Sequence, residues 1–467
     1  PMKPPLSTRK PLFMIALIAA STCLGGEWQS LFNGKDMSGW TVMGQASKPG
    51  TADFQVENGM IVGTSKLNVP NTFLCTQQTY GDFILEFEVM VDHGLNSGVQ
   101  FRSLSDSDHA RGRVHGYQVE IDTSARAWSG GLFDEGRRGW LYPLSRNEKG
   151  QAAFVNGKWN RYRIEAVGSS IRTWVNGIQC ARLVDDMTAE GFIALQVHSI
   201  SRADQAGLAV RWKNIRILTE PVEEQLMAPD PDVPEVSWLK NQLTEYEKRH
   251  GWRLLWDGRT TDGWRRANGT SFPAAGWNIE DGILTVAESG GGESRVYGDI
   301  VTVEEFSSFE LEVDFMITAG ANSGIKYFVV EGLNKGSGSA IGLEYQILDD
   351  ELHPDAKEGV EGNRTLGSLY DLIRADNLSE PGNTKKRFNG PEKWNKARIV
   401  VRGSHVEHWL NNVKVVEYER GSQIYRNLVA KSKYGVWEKF GEAPSGHLLL
   451  QDHGNRVSFR SIKVREL

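Results

Sequence analysis

Residues 83–91 have the sequence FILEFEVMV, and residues 309–317 have the sequence FELEVDFMI. In both stretches apolar side chains alternate with Glu or Asp over most of the length. An alternation with a period of two places apolar groups on one face and charged groups on the other, as in a half-buried β-strand. Both stretches are therefore predicted to be strands, and their similarity indicates that one structural unit occurs twice.

The sequences around these two strands recur in the same order. The paired segments are WQSLFNGKDMSGW (28–40) with WRLLWDGRTTDGW (252–264), FQVENGMIV (54–62) with WNIEDGILT (277–285), NSGV (96–99) with NSGI (322–325), KWNRYRI (158–164) with KWNKARI (393–399), and WKNIRI (212–217) with FRSIKV (459–464). Such a series is the sequence signature of a repeated unit. The chain of 467 residues is therefore predicted to be a tandem duplication that forms two domains.

The segment between the repeats differs in composition from both. Residues 220–236, EPVEEQLMAPDPDVPEV, are acidic and contain four prolines, which disfavour regular pairing and are typical of a linker. Residues 237–249 have the spacing and charge of a short helix. The predicted organisation is a first domain at 27–219, a linker with a short helix at 220–249, and a second domain at 250–467.

Turn-forming pairs separate the apolar runs in each repeat. They are Asn58-Gly59, Asn176-Gly177 and Asp281-Gly282, and each is typical of a two-residue β-hairpin. Many short strands without alternating helices predict an all-β chain of two tandem antiparallel β-sandwiches of the jelly-roll type. The longer connections at 103–114, 128–151 and 352–391 are expected to be loops that are either functional or disordered.

The N-terminal residues have the composition of an export signal. Lys3, Arg9 and Lys10 precede the apolar run 11–24, which is short for a membrane span. We therefore expect a signal peptide at 1–26, an exported protein that is periplasmic or extracellular, and no transmembrane segment after removal of the signal. Because Ala20-Ser21-Thr22 is a poor lipobox, lipid anchoring through Cys23 is not expected.

The overall composition favours a soluble protein with flat aromatic surfaces. Aromatic residues make up 10% of the chain, with 15 Trp, and the formal net charge is −6. A net negative charge argues against nucleic acid as a partner, because binding phosphates requires a basic face. Cys75 and Cys180 follow the predicted signal, and they are either a disulfide or two buried thiols.

Several motifs resemble the 3-keto-disaccharide hydrolase family, once in each repeat. In the first repeat they include NSGVQFR, GYQVEID, GGLFDEGRRGWLYP and IALQVH, and in the second NSGIKYF, GLEYQILDD, GSLYDLI and LLLQDHGNRVSFRSIKVREL. The resemblance implies a concanavalin A-like lectin/glucanase fold and a carbohydrate substrate. It also implies a reaction on a sugar that is oxidised at C3, whose C2 hydrogen is acidic. Removal of that proton expels the C1 substituent, and addition of water to the enone gives net hydrolysis.

This chemistry requires a base, stabilisation of the enolate oxygen and an acid for the leaving group. The catalytic candidates are carboxylates on one predicted strand in each repeat and the histidines that the repeats share: Glu120, Asp122 and His198, and Glu344, Asp349 and His453. Glu120 aligns with Glu344 or with Gln346, depending on a slip of two residues. A histidine can act as base, acid or metal ligand, or it can be a packed structural residue.

Substrate binding is assigned to polar and aromatic residues near these candidates. They are Arg102, Gln196, Asp134, Arg138 and Trp140 in the first repeat, and Lys326, Tyr370 and Gln451 in the second. Charges beside aromatic rings suit a flat polar sugar, although the same loop is also typical of a solvated insertion. Asn96 and Asn322 precede Ser-Gly and are expected to cap tight turns.

A divalent metal ion is a possible cofactor, since carboxylate and imidazole groups can bind one, but no local ligand motif is present. No nucleotide cofactor is expected. The alternatives are a non-catalytic lectin-like protein, an adhesive exported protein and a conventional glycosidase. The last requires two carboxylates that flank the scissile bond, and Glu120-Ile-Asp122 lacks the third acid of the glucanase pattern.

Overall fold

The computed structural model describes residues 26–45, 49–292, 296–333 and 340–467. The predicted signal peptide, except for Gly26, lies outside the described residues, as does Cys23. Among the described residues, no helix is long and apolar enough to cross a membrane.

The first repeat is built almost entirely of strands. They are β1 (Gln29–Ser30), β2 (Trp40–Met43), β3 (Asp53–Glu57), β4 (Met60–Thr64), β5 (Thr72–Tyr80), β6 (Phe83–Val91), β7 (Asn96–Leu104), β8 (His115–Asp122), β9 (Leu132–Glu135), β10 (Gly139–Tyr142), β11 (Asn160–Val167), β12 (Ser170–Val175), β13 (Ile178–Val184), β14 (Gly191–Val197), β15 (Ala209–Leu218) and β16 (Val236–Ser237). Helix α1 (Glu148–Gln151) and 3₁₀ turns at Leu144–Arg146, Ala203–Gln205 and Glu223–Gln225 connect them.

Two sheets of this repeat pack face to face. One has the strand order β16-β13-β12-β11-β6-β15-β4-β3, with β1 beside β15, and the other has the order β10-β9-β8-β7-β14-β5-β2. These strands pair antiparallel, except that β16 lies parallel to β13. Phe87 and Tyr162 from the first sheet pack with Phe101, Tyr117 and Leu195 from the second in one apolar core.

The second repeat has the same plan. Its strands are β17 (Arg253–Leu254), β18 (Trp264–Arg266), β19 (Trp277–Glu280), β20 (Ile283–Val286), β21 (Ile300–Phe306), β22 (Phe309–Ile317), β23 (Asn322–Val330), β24 (Ile341–Leu348), β25 (Asn395–Arg402), β26 (His405–Leu410), β27 (Val413–Glu419), β28 (Gly446–Leu450) and β29 (Val457–Glu466). The sheets have the orders β19-β20-β29-β22-β25-β26-β27, with β17 beside β29, and β18-β21-β28-β23-β24. Helices α2 (Glu245–Arg249) and α3 (Gln423–Lys431) and 3₁₀ turns at Pro354–Lys357 and Lys433–Val436 complete the fold.

The structure confirms the predicted tandem antiparallel β-sandwiches and the hairpins. Asn58, Asn176 and Asp281 have φ near +50°, and each following glycine also has a positive φ. Two consecutive positive φ angles are those of a type I′ turn, whose twist matches that of the flanking strands. In the second repeat Asn411-Asn412 occupies the place of Asn176-Gly177, again with positive φ at both residues.

Two details differ from the sequence prediction. Residues 128–151 are not an irregular loop, because β9 and β10 within them extend the sheet that carries β8. The predicted helix at 237–249 is helical only over α2, where Thr244 and Glu247 form a reciprocal capping box. Residue 237 instead ends a short strand at the edge of the first sheet, which a helical spacing of apolar residues does not reveal.

Cys75 and Cys180 are separate buried thiols. Burial raises the pKa of each thiol to about 12, so both stay protonated and unreactive at neutral pH. The open alternative of a disulfide between them is therefore wrong.

The two repeats contact each other through the linker and neighbouring turns. The Trp238 indole donates to the carbonyl of Leu141 in the first repeat, and the Lys396 ammonium of the second repeat lies 4.8 Å from the Trp238 ring centre. Ser145 donates to the carbonyl of Asn412, and Val413 packs in the core of the first repeat. These contacts fix a loop of the second repeat beside the first.

Candidate functional site

A polar cleft of about 730 Å³ lies on the outer face of the sheet that carries β7, β8 and β14 in the first repeat. On β8, Tyr117, Val119 and Ile121 point into the core. The alternate residues Gln118 and Glu120 therefore project from the opposite face, where both line the cleft. The segment from β9 to β10 lines the same cleft, and Gln118 and Glu120 are both buried in it.

Glu120 lies at the centre of a hydrogen-bond network in this cleft. Asn96 Nδ2 donates to Glu120 Oε1 at 2.6 Å, and Gln118 Nε2 donates to Glu120 Oε2 at 3.0 Å. Gln118 Oε1 in turn accepts from Gln100 at 2.6 Å and from Gln196 at 3.0 Å. The network orients one carboxylate on the rigid sheet.

The small residue of the Asn-Ser-Gly motif makes room for this network. Gly98 is the direct cross-strand neighbour of Glu120, and a Cβ on Gly98 would lie 2.4 Å from the Gln118 side chain. No side chain fits at that distance, so Gly98 leaves the space that Gln118 fills. Asn96 is the first residue of β7 and binds Glu120, so the expectation that it only caps a turn is wrong.

The ionisation of Glu120 is set by opposing effects. Burial raises the pKa of Glu120 above its ordinary value of 4.5, and the charge of Arg126 and the Asn96 hydrogen bond counteract only part of that effect. A carboxylate is a better proton acceptor when its pKa moves towards neutrality. Glu120 thus combines a fixed orientation with a basicity suited to proton abstraction.

Arg126 joins the two carboxylates of β8. Its Nε donates to Asp122 Oδ2 at 2.8 Å, and its Nη2 donates to Glu120 Oε1 at 3.3 Å. Burial opposes ionisation of Asp122, but Arg126 and Ser124 outweigh it and lower the pKa of Asp122. Asp122 lies on the same strand face as Glu120 but does not line the cleft. Its carboxylate accepts hydrogen bonds from Arg126 and from the backbone N–H of Ser124.

Gln196 and His198 approach the same cleft from β14 and the residues that follow it. Gln196 is fully buried, and its Oε1 has no hydrogen-bond donor among the described residues, so it can accept from a ligand hydroxyl. The carbonyl of Ser199 lies 2.7 Å from His198 Nδ1. With Nδ1 protonated, Nε2 of His198 is the ring atom that can accept or transfer a proton.

The predicted binding loop lines one wall of the cleft. Asp134 is fully buried and accepts from Arg137 at 2.7 Å and from Arg138 at 2.5 Å. Arg138 also donates twice to Asp185. Asp134 is therefore the anchor of the two arginines, and a substrate would contact the guanidinium groups more readily than the carboxylate.

Trp140 lies in the adjacent wall of the cleft. It packs edge-on against Trp128, with ring centres 4.8 Å apart, and the Arg126 guanidinium lies 4.9 Å from its ring. Only 7% of Trp140 is exposed, so it supports Arg126 and offers a ring edge rather than an open stacking surface.

The cleft is completed by residues of the second repeat. Arg387, Asn389 and Lys393 line it together with the residues of the first repeat. The Arg387 guanidinium lies 5.3 Å from the centre of the Trp128 ring. These residues cannot be found from the sequence, because no pattern within one repeat indicates which loop of the other repeat lies beside it.

Arg102 lies elsewhere, which corrects its predicted role in substrate binding. It is buried, and its guanidinium donates to the carbonyls of Gly81 and Gly168 and to Asp82. These contacts join the two sheets of the first repeat at their edge. An arginine that joins two sheets and an arginine that binds a substrate look alike in the sequence, because each is a charged residue at the end of a strand near a motif.

The second repeat carries a rearranged version of the site. In the first repeat Gly98 pairs with Glu120 and Gln100 pairs with Gln118, whereas in the second Gly324 pairs with Gln346 and Lys326 pairs with Glu344. The register therefore aligns Gln118 with Glu344 and Glu120 with Gln346. The carboxyl and the amide have exchanged places along the strand, and a lysine replaces Gln100.

The other predicted residues of the second repeat have identifiable contacts. The Asp349 carboxylate accepts from the backbone N–H groups of Gly320, Glu351 and Leu352, so it stabilises a turn. His453 Nε2 lies 3.5 Å from Asn322 Nδ2.

Tyr370 and Gln451 retain positions that correspond to those in the first repeat. Tyr370 pairs through its backbone with Glu344, as Phe133 pairs with Gln118, and its hydroxyl donates to Asp355 at 2.8 Å. The Gln451 backbone N–H donates to the carbonyl of Gly324. Tyr370 thus lies beside β24, which carries Glu344, and Gln451 lies beside the neighbouring β23.

The side chains of the cleft are a poor fit for a divalent metal. Both oxygens of Glu120 already accept hydrogen bonds, and Arg126 places a positive charge beside them. Among the described residues, the cluster with metal-ligand spacing is His405, Glu407 and Glu417 of the second repeat, and none of the three lines this cleft. Lys414 lies 2.8 Å from Glu407 and 3.1 Å from Glu417.

Comparison with known proteins finds chains that are similar to about half of this one. The 3-keto-disaccharide hydrolase of Bacteroides thetaiotaomicron is 36% identical over 237 residues, which cover 46% of this chain and 79% of that protein. A crystal structure from Parabacteroides distasonis, assigned as a glycosyl hydrolase, is 32% identical and covers 49% of this chain and 100% of its own, with a TM-score of 0.42. A second structure from the same organism, with the same assignment, is 24% identical and covers 46% and 99%, with a TM-score of 0.34.

The family model described as a 3-keto-alpha-glucoside-1,2-lyase-like domain matches residues 27–218 and again residues 251–465. The two matches correspond to the two sandwiches and together span most of the chain. The chain therefore belongs to the family of 3-keto-alpha-glucoside-1,2-lyase-like domains, of which it contains two copies.

Proposed function

We propose that the first repeat cleaves glycosides whose sugar carries a ketone at C3, by removal of the C2 proton and elimination of the C1 substituent. The observation that carries the proposal is the buried Glu120, whose pKa is raised and whose carboxylate is oriented by Asn96 and Gln118 in a cleft with His198. The names of the family and of the Bacteroides relative support the substrate class.

In this proposal Glu120 takes the C2 proton, and the electron pair of the C–H bond forms the enolate. The guanidinium groups of Arg126 and Arg138 in the same cleft supply positive charge for the enolate oxygen. When the enolate collapses, the C1–O bond breaks, and protonated Nε2 of His198 gives its proton to the departing oxygen. Addition of water to C1 of the resulting enone, with return of the proton to C2, gives the hydrolysed 3-keto sugar.

Conventional glycoside hydrolysis is less compatible with the cleft. It requires two carboxylates about 5 to 9.5 Å apart, on either side of the bond that is cleaved. Asp122 does not line the cleft, and the two other acidic residues that do, Asp134 and Glu135, are paired with arginines. Glu120, oriented by Asn96 and Gln118, is the single carboxylate that the proposal uses, which suits elimination.

Incubation of the purified full-length chain with 3-keto-trehalose and with a methyl 3-keto-glucoside tests this function. We expect loss of substrate and release of glucose or methanol, and no cleavage of the corresponding unoxidised glycosides. Cleavage of the unoxidised glycosides at a similar rate, or no turnover of either keto substrate, would refute the proposal. We expect EDTA to leave the rate unchanged, and a loss of activity that Mg²⁺, Ca²⁺ or Zn²⁺ restores would assign a metal to the mechanism.

The pH dependence provides a second prediction. Because burial raises the pKa of Glu120, the proton-accepting form is lost at a higher pH than for an ordinary glutamate. We expect the acid limb of the kcat/KM profile to lie above pH 4.5, with activity rising as the pH increases through that limb. An acid limb at or below the ordinary value would show that Glu120 is not the base.

Export of the protein stays a prediction from the N-terminal sequence. Its basis is the basic flank and the apolar run at 11–24. Fractionation of cells that express the chain, with antibody detection, tests it.

A further inference from the structure

We propose that the second repeat supplies the subsite for the leaving group of the first repeat, through Asn389 and Lys393. This inference rests on the proposed function and deepens it, because it identifies a hydroxylated leaving group, a second sugar ring, as the group that the enzyme selects. The observation behind it is that one cleft contains the catalytic face of the first sandwich and a loop of the second.

The loop is firmly attached to its own domain. The Arg387 guanidinium donates to both oxygens of Glu380, at 2.7 and 2.5 Å, and Asn411 donates to the Arg387 carbonyl at 2.6 Å. The Asn389 backbone N–H donates to Asn395 at 2.9 Å, and its Nδ2 donates to the carbonyl of Trp394 at 3.0 Å. Side chains on a segment held in this way are preorganised for binding.

The loop is also fixed against the first repeat. Arg387 lies over Trp128, and the Arg126 guanidinium lies 5.0 Å from the centre of the same ring. Since Arg126 donates to Glu120, a short series of contacts leads from the second repeat to the proposed base. The leaving group is bonded to the carbon next to C2, so it must lie close to Glu120 and can extend towards this loop.

The chemistry of the loop suits hydroxyl groups. Lys393 is exposed and has no ion pair among the described residues, and its ammonium group offers three donors. The Oδ1 of Asn389 can accept while its Nδ2 is engaged. Together they can bind a ring oxygen and hydroxyls of a second sugar, whereas a methyl group offers them no partner.

The repeat itself provides a matched control. Lys158 precedes Trp159 as Lys393 precedes Trp394, in the shared Lys-Trp-Asn sequence. Lys158 is also exposed, but it does not line the cleft. Replacement of either lysine removes one surface charge at the same position of the fold, so only the effect of the subsite should differ.

The experiment compares kcat/KM for 3-keto-trehalose and for methyl 3-keto-glucoside in the full-length wild type and in the variants Lys393→Ala, Asn389→Ala and Lys158→Ala. We expect Lys393→Ala to lower kcat/KM for the disaccharide about tenfold or more, mainly through KM, as for loss of a hydrogen bond from a charged group. Asn389→Ala should act in the same direction. The methyl glycoside should change less than about twofold, and Lys158→Ala should resemble the wild type with both substrates.

The outcomes separate the two proposals. If the wild type cleaves both substrates and Lys393→Ala and Asn389→Ala leave their ratio unchanged, the subsite is refuted and the proposed function stands. An equal loss with both substrates would show that the loop shapes the whole cleft and does not select the leaving group. If the wild type cleaves neither substrate, the proposed function fails and the subsite fails with it.

Discussion

Replacement of Glu120 by Gln is expected to lower kcat/KM for a 3-keto-glycoside by about 10²–10⁴-fold, the range for loss of a general base. The amide has nearly the same shape as the carboxylate but cannot take the C2 proton. Steady-state kinetics with purified Glu120→Gln provide the measurement. In the wild type, Asn96 and Gln118 donate to the charged carboxylate of Glu120. An amide at this position weakens these hydrogen bonds, so circular dichroism and the thermal unfolding temperature are needed to show that the variant is folded.

The second repeat supplies the control for this variant. Glu344→Gln makes the same chemical change on the equivalent strand, at the position that corresponds to Gln118. It should leave the rate of cleavage within about twofold of the wild type, because the proposed reaction takes place in the first repeat. A large loss in Glu344→Gln together with an active Glu120→Gln would move the active site to the second sandwich.

Lys396→Met is expected to lower the free energy of unfolding by about 3–5 kcal/mol, the usual cost of breaking a buried ion pair by removal of one partner. Lys396 is 1% exposed, and its Nζ lies 2.6 Å from the fully buried Asp314. Methionine fills similar volume, but among the described residues it leaves Asp314 with the more distant Arg460, at 3.4 Å, as its ion-pair partner. Urea unfolding followed by tryptophan fluorescence measures the change.

The matching position in the first repeat is the control for stability. Arg161 and Glu88 occupy the positions of Lys396 and Asp314, as direct cross-strand neighbours. The Arg161 side chain is 61% exposed and forms its ion pair with Glu86, at 3.0 Å, and Glu86 also pairs with Arg163 and Arg216. Exposed ion pairs contribute about 0–1 kcal/mol, so Arg161→Met should have a small effect. An equal loss of unfolding free energy in Lys396→Met and Arg161→Met would mean that burial beside Trp238 does not determine how much Lys396 stabilises the fold.

The features that the sequence predicted well are those with a local physical cause. The alternation in 83–91 determines which face of β6 packs into the core, and Asn-Gly and Asp-Gly pairs determine the hairpins, because both effects act within a few residues. The duplication can also be predicted from the sequence, since Trp28–Trp40 and Trp252–Trp264 can be compared directly. That Glu120 and Asp122 lie on one face of their strand follows from the same alternation.

The parts that could not be predicted depend on the pairing of distant strands. The choice between Glu344 and Gln346 as the counterpart of Glu120 requires the register of β23 with β24, which a single sequence leaves open. Asn96 resembles a turn residue until β7 pairs with β8 and brings its amide to Glu120. Arg387 and Lys393 are even harder to predict from the sequence, because they line the cleft only as a result of the contact between the two sandwiches.

The exchange of Glu and Gln between the repeats has a geometric consequence. Two positions on a strand are about 7 Å apart, a distance comparable with the width of a sugar ring. A pyranose bound in the same pose in both copies would therefore present different carbon atoms to the two acids. A pair of substitutions in one strand is enough to redirect which C–H bond faces a base, so duplication of this sheet allows positional selectivity to diverge while the fold stays the same.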